Sequence, residues 1–184
     1  MQTHLFSAEL MPHPSFAPGS VSTVSARIIG RDENWLRLRW RIEGAQDLVV
    51  PPFGGRGRAD ELWKTTCFEC FLRSPGSESY VELNLSPSER WAAYSFAGYR
   101  AGMAEHPMAR EPDCTMRLGS SFAIFDAAVP IQDLPPLPWQ IGMSAVIEEQ
   151  AGTKSYWALA HAEGEPDFHN PACFAAVLAP PEPA

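Results

Sequence analysis

No apolar run in this chain is long enough to cross a bilayer, so a membrane is not an expected partner. The first twenty residues contain Glu9, several prolines and no basic segment leading into a long apolar stretch. They do not read as a secretory signal, and the cytoplasm is the expected compartment. Cysteine is scarce, with four residues in 184, which is not a disulfide framework. Positive charge is in deficit: the net charge of −8 argues against nucleic acid as the default partner. No stretch has the 3.6-residue periodicity of a convincing amphipathic helix, and no internal repeat is present. What is abundant is turn punctuation, with 18 prolines and 13 glycines spread along the chain. A hydrophobic content of 45% over this length fits a single globular domain.

The apolar residues alternate with period two. Asn34–Ile42 is the clearest strand: Leu36, Leu38, Trp40 and Ile42 interleave with Arg37, Arg39 and Arg41, giving one core face and one row of guanidinium groups. Further strands are expected over 21–29, 48–51, 66–73, 79–85, 91–96, 115–118, 121–129, 139–148, 155–161 and 173–178. Residues 53–59 form a loop rich in Gly and Arg, 97–114 look irregular and mobile, and 163–171 is loop. Short strands with turn signals every 8–12 residues predict an all-β antiparallel β-sandwich, jelly-roll or immunoglobulin-like, of about ten strands. Residues 1–20 are then an N-terminal extension, 21–179 the sandwich and 180–184 a tail.

The chemistry lies in Leu62–Leu72 and Tyr80–Pro87, where carboxylates and an amide interrupt strands that otherwise look like core. A buried carboxylate costs several kcal/mol unless it is partnered or protonated. Glu82 and Asn84 share the polar face of their strand, opposite Val81, Leu83 and Leu85, and Glu69 can join them from the adjacent strand. Two readings fit equally. One is a surface ion-pair lattice with the arginine row; the other is a polar patch in which carboxylates accept from vicinal hydroxyls and Asn84 both donates and accepts. Paired carboxylates could also hydrolyse glycosides. Trp63, at the edge between loop and strand, is placed to stack on a sugar ring, and Trp157 is a second candidate. Cys67 and Cys70 form a CxxC pattern inside a strand, so they face opposite sides and read as inert thiols. His161, Asp167 and His169 crowd one late loop; a hydrogen-bonded turn explains them better than a metal site.

Five segments resemble the DOMON-like ligand-binding domains related to family 9 carbohydrate-binding modules: 61–69; 80–88 with Trp91-Ala-Ala-Tyr94; 99–103; 155–161; and 166–171. The resemblance implies that Trp63 is one of two tryptophans sandwiching a sugar, that Glu69 accepts from a sugar hydroxyl, and that Asn84 takes the place of the family's binding asparagine. Glu82 stands where family 9 modules tend to have arginine, which inverts a charge, and an arginine from the Arg37–Arg39 strand is the candidate to compensate. Nothing matches the Met and His ligands of haem-binding relatives, so no cofactor and no metal are expected. The resulting expectation is a non-catalytic domain that binds a small polar ligand, most simply a sugar, through Trp63, Glu69, Glu82, Asn84, Arg39, Tyr94, Trp157 and His161. The alternatives are a protein-interaction module with a structural carboxylate–arginine network and a glycoside-active enzyme using Glu69 and Glu82.

Overall fold

The computed structural model describes residues 5–180, and almost all of its regular structure is strand. In chain order the strands are β1 (Phe6–Pro12), β2 (Thr23–Arg31), β3 (Trp35–Glu43), β4 (Gly57–Arg58), β5 (Cys67–Arg73), β6 (Tyr80–Leu85) and β7 (Arg90–Phe96). They continue as β8 (Ala104–Glu105), β9 (Asp113–Leu118), β10 (Phe122–Pro130), β11 (Trp139–Glu148), β12 (Lys154–Ala158) and β13 (Ala176–Leu178). Among the described residues no helix is long and apolar enough to cross a membrane.

The strands form one curled, hydrogen-bonded path, β4-β7-β6-β5-β11-β12-β1-β2-β3-β10-β9, with β8 added at β7 and β13 at β11. β4 runs parallel to β7 and the other pairs are antiparallel. The path folds back on itself as a sandwich. Phe68 of β5 stacks on Phe125 of β10 with centroids 4.3 Å apart and meets Trp40 of β3 at 5.4 Å, so the halves share one core.

β1 makes the corner. Its residues Phe6–Leu10 pair with β2, and Met11 and Pro12 pair with β12. The stretch expected to be an extension therefore holds a strand of the sheet. Phe6, Ala8 and Leu10 turn inward and Ser7 and Glu9 outward, an alternation of only five residues in which Leu10 is buried and Phe6 packs partly buried on the core. Leu48 makes an isolated bridge to Glu149 rather than a strand, and 97–114 carries β8 and the start of β9. The chain enters β13 through a 3₁₀ turn at Pro171–Cys173. Most of the expected tail, 181–184, lies outside the described residues.

The arginine row of β3 lies on the outer face of the half containing β2, β3, β9 and β10. Leu36, Leu38, Trp40 and Ile42 are fully buried, which turns Arg37, Arg39 and Arg41 away from the core. Arg37 pairs with Asp32 at 2.5 Å, Arg41 with Glu43 at 2.6 Å, and Arg39 grips Asp126 through two bonds of 2.6 and 2.9 Å. Arg117 joins the same Asp126 at 2.6 Å. The ion-pair lattice is real, but it belongs to the opposite half from Glu69 and Glu82.

Candidate functional site

β5 and β6 are buried on both faces, and the two faces do different work. Phe68, Cys70 and Leu72, with Val81, Leu83 and Leu85, enter the shared core. Glu69, Glu82 and Asn84 point to the other side. Register sets Glu69 opposite Asn84 on β6 and opposite Ser144 on β11; Glu82 sits opposite Phe71 on β5 and Tyr94 on β7. The two glutamates are thus diagonal neighbours, close enough for long side chains to interact. Their burial comes from a third layer of loops over this face. Phe168 and Phe174 join Phe71, Tyr80 and Phe96 in a second apolar cluster. His169 sets its ring edge-on to Phe71 at 5.2 Å and to Phe96 at 5.0 Å.

Where this layer stops short, a cleft of about 780 Å³ remains, within the usual range for small-molecule sites. Glu69, Glu82, Asn84, Tyr94 and Phe96 contribute from the strands, and Trp63, Arg100, Met103, Glu165, Phe168 and His169 from the loops. Val146 and Tyr156 extend the lining, with Phe16 edge-on to Tyr156 at 5.0 Å.

Trp63 is half exposed at the rim, on a 3₁₀ turn spanning Leu62–Lys64. Glu61 enters that turn in the left-handed region at φ 59°. Lys64 pairs with Glu61 at 2.7 Å, and the Lys154 ammonium donates to the Lys64 carbonyl, so the turn is tied at both ends. The Tyr94 hydroxyl donates to Asp60 and fixes the preceding loop. Arg100 sits in a tight turn closed by the Ala97–Ala101 bond of 2.9 Å and the Ala101–Gly98 bond of 3.0 Å. Asp167 clamps that turn: it accepts from Tyr99 Oη, from Arg100 Nη2 at 2.7 Å and Nε at 3.2 Å, and from the His169 backbone N–H at 3.1 Å.

The floor is electrostatically strained. Burial, then the neighbouring Glu82, pushes the Glu69 carboxyl well above the usual carboxylate range, and Arg100 only partly opposes this. Burial raises Glu82 to about 7 against the pull of Asn84 and Arg100. Burial and the Arg100 charge lower His169 to about 4, so it is neutral at pH 7.

Glu149 shows what a structural buried carboxylate looks like in this protein. It is 2% exposed and accepts from the backbone N–H groups of Gly19, Ser20 and Val21 at 2.7, 2.5 and 3.1 Å. Neither Glu69 nor Glu82 is given such a nest. The Asn84 side-chain oxygen beside them has no hydrogen-bond partner, nor does the Ser144 hydroxyl. Buried polar atoms left unmatched cost about 1–3 kcal/mol each, so this floor is built to be matched by something else.

Of the expected binding residues, Trp63, Glu69, Glu82, Asn84 and Tyr94 line the cleft. Three do not. Arg39 is committed to Asp126 on the other half. Trp157 is 2% exposed in the shared core, with its Nε1 donating to Ser155 Oγ at 2.9 Å, because β12 turns Tyr156 rather than Trp157 outward. His161 bonds to the Met11 carbonyl at 2.8 Å and packs on His13 at 5.0 Å, away from the cleft. His161, Asp167 and His169 therefore diverge, and no group of three or more His, Cys, Asp or Glu among the described residues is arranged to hold a metal. Cys67 and Cys70 are buried free thiols on opposite faces, and burial pushes Cys70 up to about 12.

Sequence reasoning did not name Arg100, which takes the compensating role assigned to the β3 arginines, nor Phe168, Phe96 and Tyr156, and it read His169 only as part of a hydrogen-bonded turn. Phe96 could have been read from its period-two relation to Tyr94. Arg100 lies in a segment without periodicity.

No protein-family model matches the sequence, and no match was found among curated proteins. Solved structures match in fold. A candidate carbohydrate-binding protein from Bacteroides uniformis ATCC 8492 aligns over 89% of this chain and 83% of its own, with a TM-score of 0.57 at 15% identity. A family 9 carbohydrate-binding module from Caldicellulosiruptor kristjanssonii, solved in complex with cellotriose, aligns over 80% of this chain and 70% of its own, with a TM-score of 0.54 at 10% identity. The chain is thus an all-β sandwich with an aromatic-rimmed cleft on one face. Its fold is that of the family 9 carbohydrate-binding modules.

Proposed function

We propose that this is a non-catalytic domain that binds a sugar, or another small polar ligand, in the cleft over β5, β6 and β7. One observation carries the reading: a half-exposed Trp63 stands at the mouth of a cleft whose buried floor holds Glu69, Glu82 and the unpartnered oxygen of Asn84. A flat aromatic face suits the C–H face of a pyranose, and carboxylates and an amide oxygen accept from its hydroxyls. The cellotriose complex of the module with the same fold supports a sugar as the first class to test. The experiment is a glycan and metabolite screen of wild type beside Trp63→Ala. A ligand bound by wild type and weakened in the variant is expected; identical behaviour of the two proteins sinks the stacking role.

A second reading has one observation behind it. Glu82 titrates near 7 beside another raised carboxyl in an open cleft, which is the environment of a general acid. Turnover of aryl glycosides by wild type but not by Glu82→Gln would establish it. No turnover above buffer would leave binding as the role.

A further inference from the structure

We infer that the cleft selects a ligand that carries a protonated amine among its hydroxyls, such as an amino sugar, over the corresponding neutral sugar. The inference rests on the cleft being the ligand site proposed above and specifies the class of ligand that it takes.

The floor has an excess of acceptors. Glu69 is 4% exposed and Glu82 5%. Asn84 is 2% exposed, lines the cleft, and its Oδ1 has no partner. Asn84 Oδ1 can only accept, and so can both carboxylates once ionised. Donors on the cleft side are few. Arg100 is the sole lysine or arginine among the lining residues, and its Nη2 and Nε are committed to Asp167 at 2.7 and 3.2 Å. His169 bonds Tyr80 through Nδ1 at 2.8 Å, and its Nε2 stops 3.7 Å short of Glu82. A partner that brings donors and positive charge therefore suits this floor best.

An ammonium group supplies both, with three N–H donors and no acceptor to set against the carboxylates. A neutral sugar hydroxyl brings one donor, and its lone pairs find few donors on the floor beyond the Asn84 amide N–H groups and a protonated carboxyl. Ring faces add to the preference, since Trp63, Tyr94, Phe96 and Tyr156 line the same space and aromatic faces attract cations. The titration of the floor agrees. Glu82 faces Glu69 from β5, Tyr94 from β7, Arg100 from the turn before β8 and His169 from the loop over the cleft, with Tyr80 on its own strand, and burial holds it near half-protonated at neutral pH. A cation beside it replaces the proton that it otherwise retains.

Calorimetric titration of wild type at pH 7 and low salt tests this with three matched sets: glucosamine, galactosamine and mannosamine, each with its neutral parent and its N-acetyl form. The expected result is that at least one amine binds about tenfold or more tightly than its neutral parent, a margin typical of one desolvated charge contact. N-acetylation, which removes the charge, should cancel the gain. Glu82→Gln, checked for an intact melting transition, should bring the ratio of amine to parent close to unity. Trp63→Ala should weaken amine and parent together and lower their ratio far less than Glu82→Gln does. If neutral parents bind as tightly as amines, this inference is overturned while sugar binding stands. If no member of any set binds, both the inference and the sugar reading fall.

Discussion

Nε2 of His169 stands 3.7 Å from Oε2 of Glu82, and the two do not form an ion pair at neutral pH. Burial drives the imidazole down to about 4 and the carboxyl up to about 7, so each group is pushed toward its uncharged form. Arg100 adds to the first shift, by opposing a second cation at His169, and resists the second, by favouring the anion at Glu82. The separation exceeds hydrogen-bonding reach, so neither group satisfies the other.

Glu82 should make the protein less stable as pH rises. Below pH 4.5 the folded and unfolded states both hold its proton. Between 4.5 and about 7 the unfolded chain releases the proton while the folded site retains it, so a penalty accumulates, and above 7 it stays constant. The full penalty is on the order of 3 kcal/mol. Glu82→Gln mimics the protonated form and should match wild type near pH 4.5, then exceed it by a margin that grows up to pH 7. His169 follows the opposite trend, losing stability as pH falls from 6.5 toward 4, but it does so in both proteins and cancels in the difference. Urea melts of the two proteins at pH 4.5, 6 and 8 decide the matter; a constant difference would mean that Glu82 is not raised.

The tryptophans should separate binding from folding. Trp63 is 50% exposed, so Trp63→Ala should change stability by no more than about 0.5 kcal/mol. Its loss should weaken ligand binding by roughly tenfold, the worth of covering part of one aromatic face. Trp157 is 2% exposed, and Trp157→Ala should cost about 3–5 kcal/mol through the cavity left in the core. Thermal melts and titrations of both variants give the comparison, and a stability loss at position 63 equal to that at 157 would contradict it.

The difference between these two tryptophans also shows where the sequence is legible. Alternation along Leu36–Ile42 and Val81–Leu85 determines which side chains enter the core, because the strand period leaves only two faces. That is enough to bring Glu82 and Asn84 together. Placing Trp157 requires the phase of a five-residue strand, and a slip of one residue exchanges it with Tyr156. Arg100 could not be assigned, because its position depends on a turn closed by Ala97 and Ala101 and on a long-range bond to Asp167, sixty-seven residues away. β1 was hidden for a different reason: its alternation, Phe6, Ala8 and Leu10 against Ser7 and Glu9, is short and runs straight into Met11 and Pro12, where the strand changes partner.

Removing Arg39 should leave the cleft untouched. Arg39 and Asp126 are partly exposed on the far half, where ion pairs contribute up to about 1 kcal/mol. Arg39→Ala should therefore lose no more than that in a melt and bind any cleft ligand with wild-type affinity. A marked loss of affinity would connect the arginine row to the site after all.

Arg100→Gln tests whether the guanidinium tunes the floor or merely holds a turn in place. Arg100 lowers both Glu82 and His169. If it acts through its charge, the variant should raise both values: Glu82 above about 7 and His169 above about 4, each followed by NMR titration of its side chain. Loss of the turn would act differently. With Ala97–Ala101 opened and Asp167 released, water would reach the floor, and burial, the first cause of both shifts, would relax. His169 would still rise, toward 6.5, but Glu82 would fall toward 4.5. The direction of the Glu82 change therefore distinguishes the two cases: an upward move identifies Arg100 as the counter-charge of the cleft, and a downward move identifies it as a strut.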